Sequence, residues 1–195
     1  MKLPFNIHSL PEPAMSPSPR YPLLSLFLTF ALSTGLHAQS SPPDLSDPEV
    51  AHVAVTANSI DIDLAKLAQS RTHNPDVKQF AATMITDHSA VNAQASALAA
   101  KLGITPKDNA VSQSLLKGAA QARAHIEPLK GKAFDKAYID REVAYHQAVL
   151  DALDNVLIPT TENAELKKLL VDVRPAIATH LEHAKKLQGT LVASK

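Results

Sequence analysis

The sequence predicts an all-α fold, an antiparallel four-helix bundle with a short extra helix in the crossover between helices 2 and 4. Three observations carry this. The 195-residue chain has 5 Gly, no Trp and 4% aromatic residues, and it is rich in Ala and Leu, which suits helices better than sheets. Long stretches share one seven-residue apolar period. Those stretches are bounded by residues that start or stop helices. The length fits a single domain beyond a targeting segment.

Residues 1–38 read as a signal peptide. Arg20 precedes an apolar run from Leu23 to Leu32, and small and polar residues then lead to Ala38 before Gln39. The run is shorter than the about 20 apolar residues a membrane span needs. A start at Met15 gives the signal more usual proportions. Residues 39–46 form a flexible Ser/Pro linker. The helical domain then covers 47–192, in a chain expected in the periplasm or associated with the outer membrane.

The first helix is expected from Pro48 to about Arg71, with Val50, Val53, Ala57, Ile60, Leu64 and Leu67 on its apolar face. The second is the best marked. Asn74 is a good N-cap, Pro75 suits the first helical position, Asp76 favours the positive end of the dipole, and Gly103 suits the position after the last turn. Inside it, Val77, Met84, Val91 and Leu98 form one seven-residue series, and Ala81, His88, Ala95 and Leu102 the other. A shorter helix from about Val111 to Glu127 is ended by Pro128. The next spans about Lys132 to Leu157, with Ile139, His146 and Leu153 in one series and Val143, Leu150 and Leu157 in the other. Pro159 is expected to break it. The last helix runs from about Glu162 to Val192, carrying Leu166, Val173, His180 and Leu187 in one series. Pro175 lies inside it, and a bend near Arg174 is expected because an interior proline removes one backbone bond. Asn74-Pro75-Asp76-Val77-Lys78 also resembles Asn163-Ala164-Glu165-Leu166-Lys167, which suggests two related helix pairs.

Composition excludes several function classes. Without cysteine there are no disulfides, thiolate metal sites, covalent haem attachment or lipidated cysteine. Acidic and basic residues balance at 19 each, and no basic stripe invites nucleic acid. The sequence holds no Gly-x-Ser-x-Gly element and no Gly-rich phosphate loop, so nothing supports a hydrolase and the chain leans away from being an enzyme.

The chemistry lies in the seam. His88, His146 and His180 occupy apolar-series positions near the middle of three different long helices. The first helix offers Asp61 at mid-length. Three imidazoles and a carboxylate suit one divalent transition metal such as Zn, Fe, Mn or Cu. Asp87, Tyr138 and Glu142 are placed to orient the rings. The other reading is a non-catalytic structural or stress-associated envelope domain, in which the histidines only fix core packing. Neither a di-iron centre nor haem is expected. None of the three histidines follows a Glu by three residues, the spacing di-iron bundles use, and Met84, one turn before His88, is ordinary core filler.

Several of these elements resemble a known family. They are Ala65-Lys66-Leu67-Ala68, Asn74 to Ala81, Met84-Ile85-Thr86-Asp87-His88, Ala133-Phe134-Asp135-Lys136-Ala137-Tyr138, His146, and a last helix with Pro175 and His180. Together they resemble the bacterial domain of unknown function 4142, whose members are often labelled outer membrane or exported proteins. The resemblance covers about Pro48 to Leu191 and implies a ferritin-like four-helix fold, with no assigned activity. Its Asp-His, Phe-Asp-x-x-Tyr, mid-helix His and last-helix His correspond to Asp87-His88, Phe134-Asp135-Tyr138, His146 and His180. The first helix departs from the expected pattern, with Asp61 and Asp63 in place of Glu.

Overall fold

The computed structural model describes residues 43–193; the expected signal peptide and most of the linker lie outside them. The described chain is all-α. Helix α1 spans Asp47–Arg71, α2 Pro75–Leu102, α3 Ala110–Ile126 and α4 Gly131–Ala152. A π turn, Leu153–Leu157, and a last helical turn, Ile158–Thr160, extend α4. Helix α5 spans Ala164–Ala193. No helix among the described residues is long and apolar enough to cross a membrane.

The helix ends are those the local chemistry dictates. Ser46 and Glu49 form a reciprocal capping box at the start of α1. Asn74 Oδ1 accepts from the Asp76 and Val77 amides at 2.9 and 3.2 Å. Gly103 ends α2 in the left-handed region at φ 66°, a conformation that favours glycine. Asn163 Oδ1 accepts from the Glu165 and Leu166 amides at 3.0 and 3.1 Å, so α5 begins as α2 does.

One expectation needs correction. Pro159 does not stop the fourth helix at Leu157; the helix continues to Thr160. The π turn immediately before Pro159, with the Ile158 amide bonded back to the Leu153 carbonyl, widens the backbone where the proline ring would meet the carbonyl four residues earlier. Helix α5 runs unbroken through Pro175, one helix and not two, as the continuous seven-residue pattern predicts.

Helices α1 and α2 form one tightly packed hairpin, α4 and α5 the other, and α2 also packs on α5. Helix α3 lies mainly on α1 and is held at its ends. Ser112 and Ile126 are its buried residues, while its middle is half-buried or exposed. Arg71 donates to the Glu127 carbonyl and, at 3.0 Å, to that of Leu129, which fixes the chain leaving α3. The Lys107 amide donates to the Pro48 carbonyl at 2.9 Å, which fixes the approach.

The core divides into two apolar clusters. One gathers Leu64 and Ala68 of α1, Phe80 and Met84 of α2, Phe134 and Ile139 of α4, and Leu187 of α5. The other gathers Val50 and Val53 of α1, Leu150 and Leu153 beyond mid-α4, and Leu170 and Ile177 of α5. With Leu98 of α2 packed against the second cluster, each of these helices passes from one apolar cluster to the other, and between them it contributes polar side chains to a single buried layer.

Candidate metal centre

That layer contains Asn58 and Asp61 from α1, His88 from α2, Glu142 and His146 from α4, and His180 from α5, all buried. Arg141 reaches it from α4. The three imidazole rings form a triangle with centroids 5.7 Å (His88–His146), 5.2 Å (His88–His180) and 5.5 Å (His146–His180) apart. One ring nitrogen of each lies within 4.8 Å of the other two. His180 is three residues further from its helix cap than His88, an offset of about 4–5 Å along an axis. The rings nonetheless meet.

Each histidine has one braced nitrogen and one open one. His88 Nδ1–H donates to Asn58 Oδ1 at 2.6 Å. His146 Nδ1–H donates to the Glu142 carbonyl at 2.9 Å. That oxygen can only accept, which places the proton on Nδ1 and the lone pair on Nε2. His180 Nε2–H donates to Asp87 Oδ2 at 3.0 Å, which leaves its lone pair on Nδ1. The opposite nitrogens, His88 Nε2, His146 Nε2 and His180 Nδ1, are buried with no hydrogen-bond partner. An unpartnered polar atom in a dry core costs about 1–3 kcal/mol, so three together need a physical reason. Bracing one nitrogen to free the other is how proteins present imidazole to a metal.

Asp61 completes the set. Its Oδ2 is 3.0 Å from His88 Nε2 and 3.9 Å from His146 Nε2, without hydrogen-bond alignment to either. A positive charge at this point, either a proton on His88 or a metal ion, satisfies both atoms. Its Oδ1 accepts from Arg141 Nη1 at 2.7 Å, and the same Nη1 donates to Glu142 Oε1 at 2.7 Å. The guanidinium stacks on Tyr145 at 3.7 Å from its ring centre, and Tyr145 Oη–H donates to the Ala57 carbonyl at 2.9 Å. Asp61, Glu142 and His146 also present atoms within 4.8 Å of one another.

The electrostatics follow from burial and this one guanidinium. Burial opposes ionisation of Asp61, but His88, Arg141 and His146 outweigh it and hold the carboxyl well below the usual range. Burial, reinforced by the Asp61 charge, pushes Glu142 well above that range. Burial also pushes His146 down to about 4 and lowers His180. Burial disfavours the charged form of Arg141, yet Glu142 and Asp61 more than offset this and keep it protonated.

Of the residues singled out from the sequence, Asp61, His88, Glu142, His146 and His180 meet in the layer, with Asp87 at its edge and Tyr138 in the adjoining apolar cluster. Asp87 meets His180 rather than its neighbour His88, and Glu142 meets His146 through its carbonyl. Tyr138 is fully buried with its hydroxyl unpartnered, and burial together with Glu142 raises it well above the usual tyrosine range. Glu-x-x-His does occur once in the chain, at Glu49 and His52. It lies at the start of α1, where Glu49 caps Ser46, so it forms no part of the centre. Asn58, Arg141 and Tyr145 were not expected. Asn58 lies one turn before Asp61 on the same helix face, and Tyr145 one turn after Arg141; these spacings are the signals that could have found them.

A pH effect follows from His146. Unfolded, its imidazole titrates near 6.5; folded, near 4. Between those values the unfolded chain binds the extra proton, so this contribution to stability falls as pH drops from about 6.5 to about 4. Glu142 acts oppositely: its raised folded pKa makes its contribution fall as pH rises above 4.5. His146→Gln separates the two. In urea titrations of metal-free protein, the stability of wild type relative to this variant is expected to fall by about 3 kcal/mol between pH 7 and pH 4. A parallel pH profile in both proteins would show that His146 is not buried neutral.

Comparison with known proteins fits the fold into a wider context. A solved structure described as CopM in the Cu(II)-bound form superposes with a TM-score of 0.58 at 15% identity, over 76% of this chain and 99% of that one. At that identity the likeness is one of fold. No curated protein matches the chain in sequence. Residues 33–187 match the family described as Domain of unknown function (DUF4142), and the chain belongs to that family.

Proposed function

We propose that this chain is an exported, ferritin-like four-helix bundle that holds one divalent transition metal in its mid-bundle layer, with Cu(II) the first candidate. The ligands are His88 Nε2, His146 Nε2, His180 Nδ1 and Asp61 Oδ2. The observation that carries the reading is the set of three braced imidazoles whose opposite nitrogens are buried, unpartnered and close together. Three imidazoles and one carboxylate suit Cu(II) or Zn(II). The Cu(II)-bound state of the structurally similar CopM supports taking copper first. A purely structural network would pair these atoms with one another; here only His88 Nε2 and Asp61 Oδ2 approach, at 3.0 Å, and the His146 and His180 nitrogens face the same point unpaired.

Protein purified without chelator and offered Cu(II) is expected to retain one equivalent by elemental analysis. Metal held at about 100 times its Kd stabilises by about 2.7 kcal/mol, and a domain of this size then melts roughly 5–10 °C higher. EDTA should reverse the shift. Absence of both stoichiometric metal and any melting shift, with Zn(II) as well as Cu(II), would leave the histidines with a packing role alone.

A further inference from the structure

Asp61 and Glu142 face two ways. Their outer oxygens, Oδ1 and Oε1, hold Arg141, while their inner oxygens, Oδ2 and Oε2, are buried and unpartnered. Arg141 thus lies between this carboxylate pair and the groove beneath α3. Its own side chain is 11% exposed, against 0% for both carboxylates. It lines a groove of about 570 Å³ between α3 and α4, together with Gly118, Ala119, Ala144 and Tyr145. It also lines a second depression of about 170 Å³ on the α1 side of α3. The groove exists because the facing residues are small and because α3 is anchored at its ends rather than its middle.

We infer that Asp61, Glu142 and His146 form a loading position for the metal, at which an incoming divalent ion takes the place of the Arg141 guanidinium while that side chain swings into the α3–α4 groove. This rests on the metal reading above and concerns the route to that centre. Geometry makes the exchange productive. Asp61 and His146 belong both to this position and to the four-ligand centre, so the ion moves between overlapping ligand sets without passing through apolar core. The competing route lies on the other side of the layer, past His180 and the 46%-exposed Asp87.

The test is stopped-flow loading of the metal-free chain with Cu(II), followed by its absorption, with the final spectrum and stoichiometry measured separately. Glu142→Gln keeps a hydrogen-bond acceptor for Arg141 but removes the carboxyl group that would bind the incoming ion. It is expected to slow loading at least tenfold while the final spectrum and single equivalent are retained. Gly118→Leu fills the groove from a position where an added Cβ meets nothing within 4 Å, so the fold tolerates it. It is expected to slow loading severalfold with the same end state, an effect a merely structural role for Glu142 would not produce. His183→Ala, at an exposed position outside the layer, should load within twofold of wild type. Wild-type rates in Glu142→Gln or in Gly118→Leu overturn the route but leave the metal centre standing. No Cu(II) uptake by the wild type overturns both.

Discussion

His146→Ala is expected to lower Cu(II) affinity by more than 100-fold, about 3 kcal/mol or more, and to abolish the copper-dependent rise in melting temperature. Its Nε2 is open, and its Nδ1 is fixed by a backbone carbonyl that cannot rotate away, whereas His88 and His180 are braced by side chains. Loss of an outer hydrogen-bond partner of a metal-bound histidine commonly costs 10–100-fold, so loss of the ligand itself should cost more. Competition titration against a copper chelator of known affinity measures it. His183→Ala is the control. His183 is exposed and sits edge-on to Phe80 at 5.2 Å, outside the layer. If His183→Ala loses as much affinity as His146→Ala, copper binds at the surface and not in the bundle.

Arg141→Leu is expected to destabilise the metal-free chain by about 3–5 kcal/mol, the usual result of removing one partner from a buried ion pair. The loss should come from the stranded Asp61 carboxylate rather than from lost packing. Two comparisons separate these causes in urea titrations. Adding Asp61→Asn to Arg141→Leu should recover part of the stability, because the uncompensated charge is gone. Saturating Cu(II) should also narrow the gap between Arg141→Leu and wild type, because the dication takes over the compensation. Equal losses in the single and double variants, unchanged by Cu(II), would mean that Arg141 stabilises through its stacking on Tyr145 alone.

The fold and half of this centre were legible in the sequence for one physical reason. A histidine in a seven-residue apolar series is a polar atom placed where no water can reach it, and three of them at mid-helix must meet if the helices pack side by side. That argument led to His88, His146 and His180, with Asp61 as the fourth contributor. It was silent on Arg141. An arginine beside a glutamate on a helix reads as a solvated face, and only the tertiary packing of α4 against α1 turns it inward to Asp61. Asn58 was silent likewise, since an asparagine in a helix carries no sign of which side chain it will meet 30 residues on. The π turn escaped because a proline near a helix end announces a stop; whether the backbone stops or widens is decided by the residues packed around it.

The four proposed ligands come from four different helices, and the sequence distance from Asp61 to His180 is most of the domain. No hairpin or fragment of this chain contains the set, so the centre comes into being only when both halves have closed on each other. A metal bound there therefore records where the polypeptide finished folding. Because selectivity among divalent ions rests on metal availability as well as on geometry and ligand type, the occupant would depend in part on the ion content of that compartment at that moment. The identity of the metal in native protein would then be a statement about its surroundings as much as about its side chains.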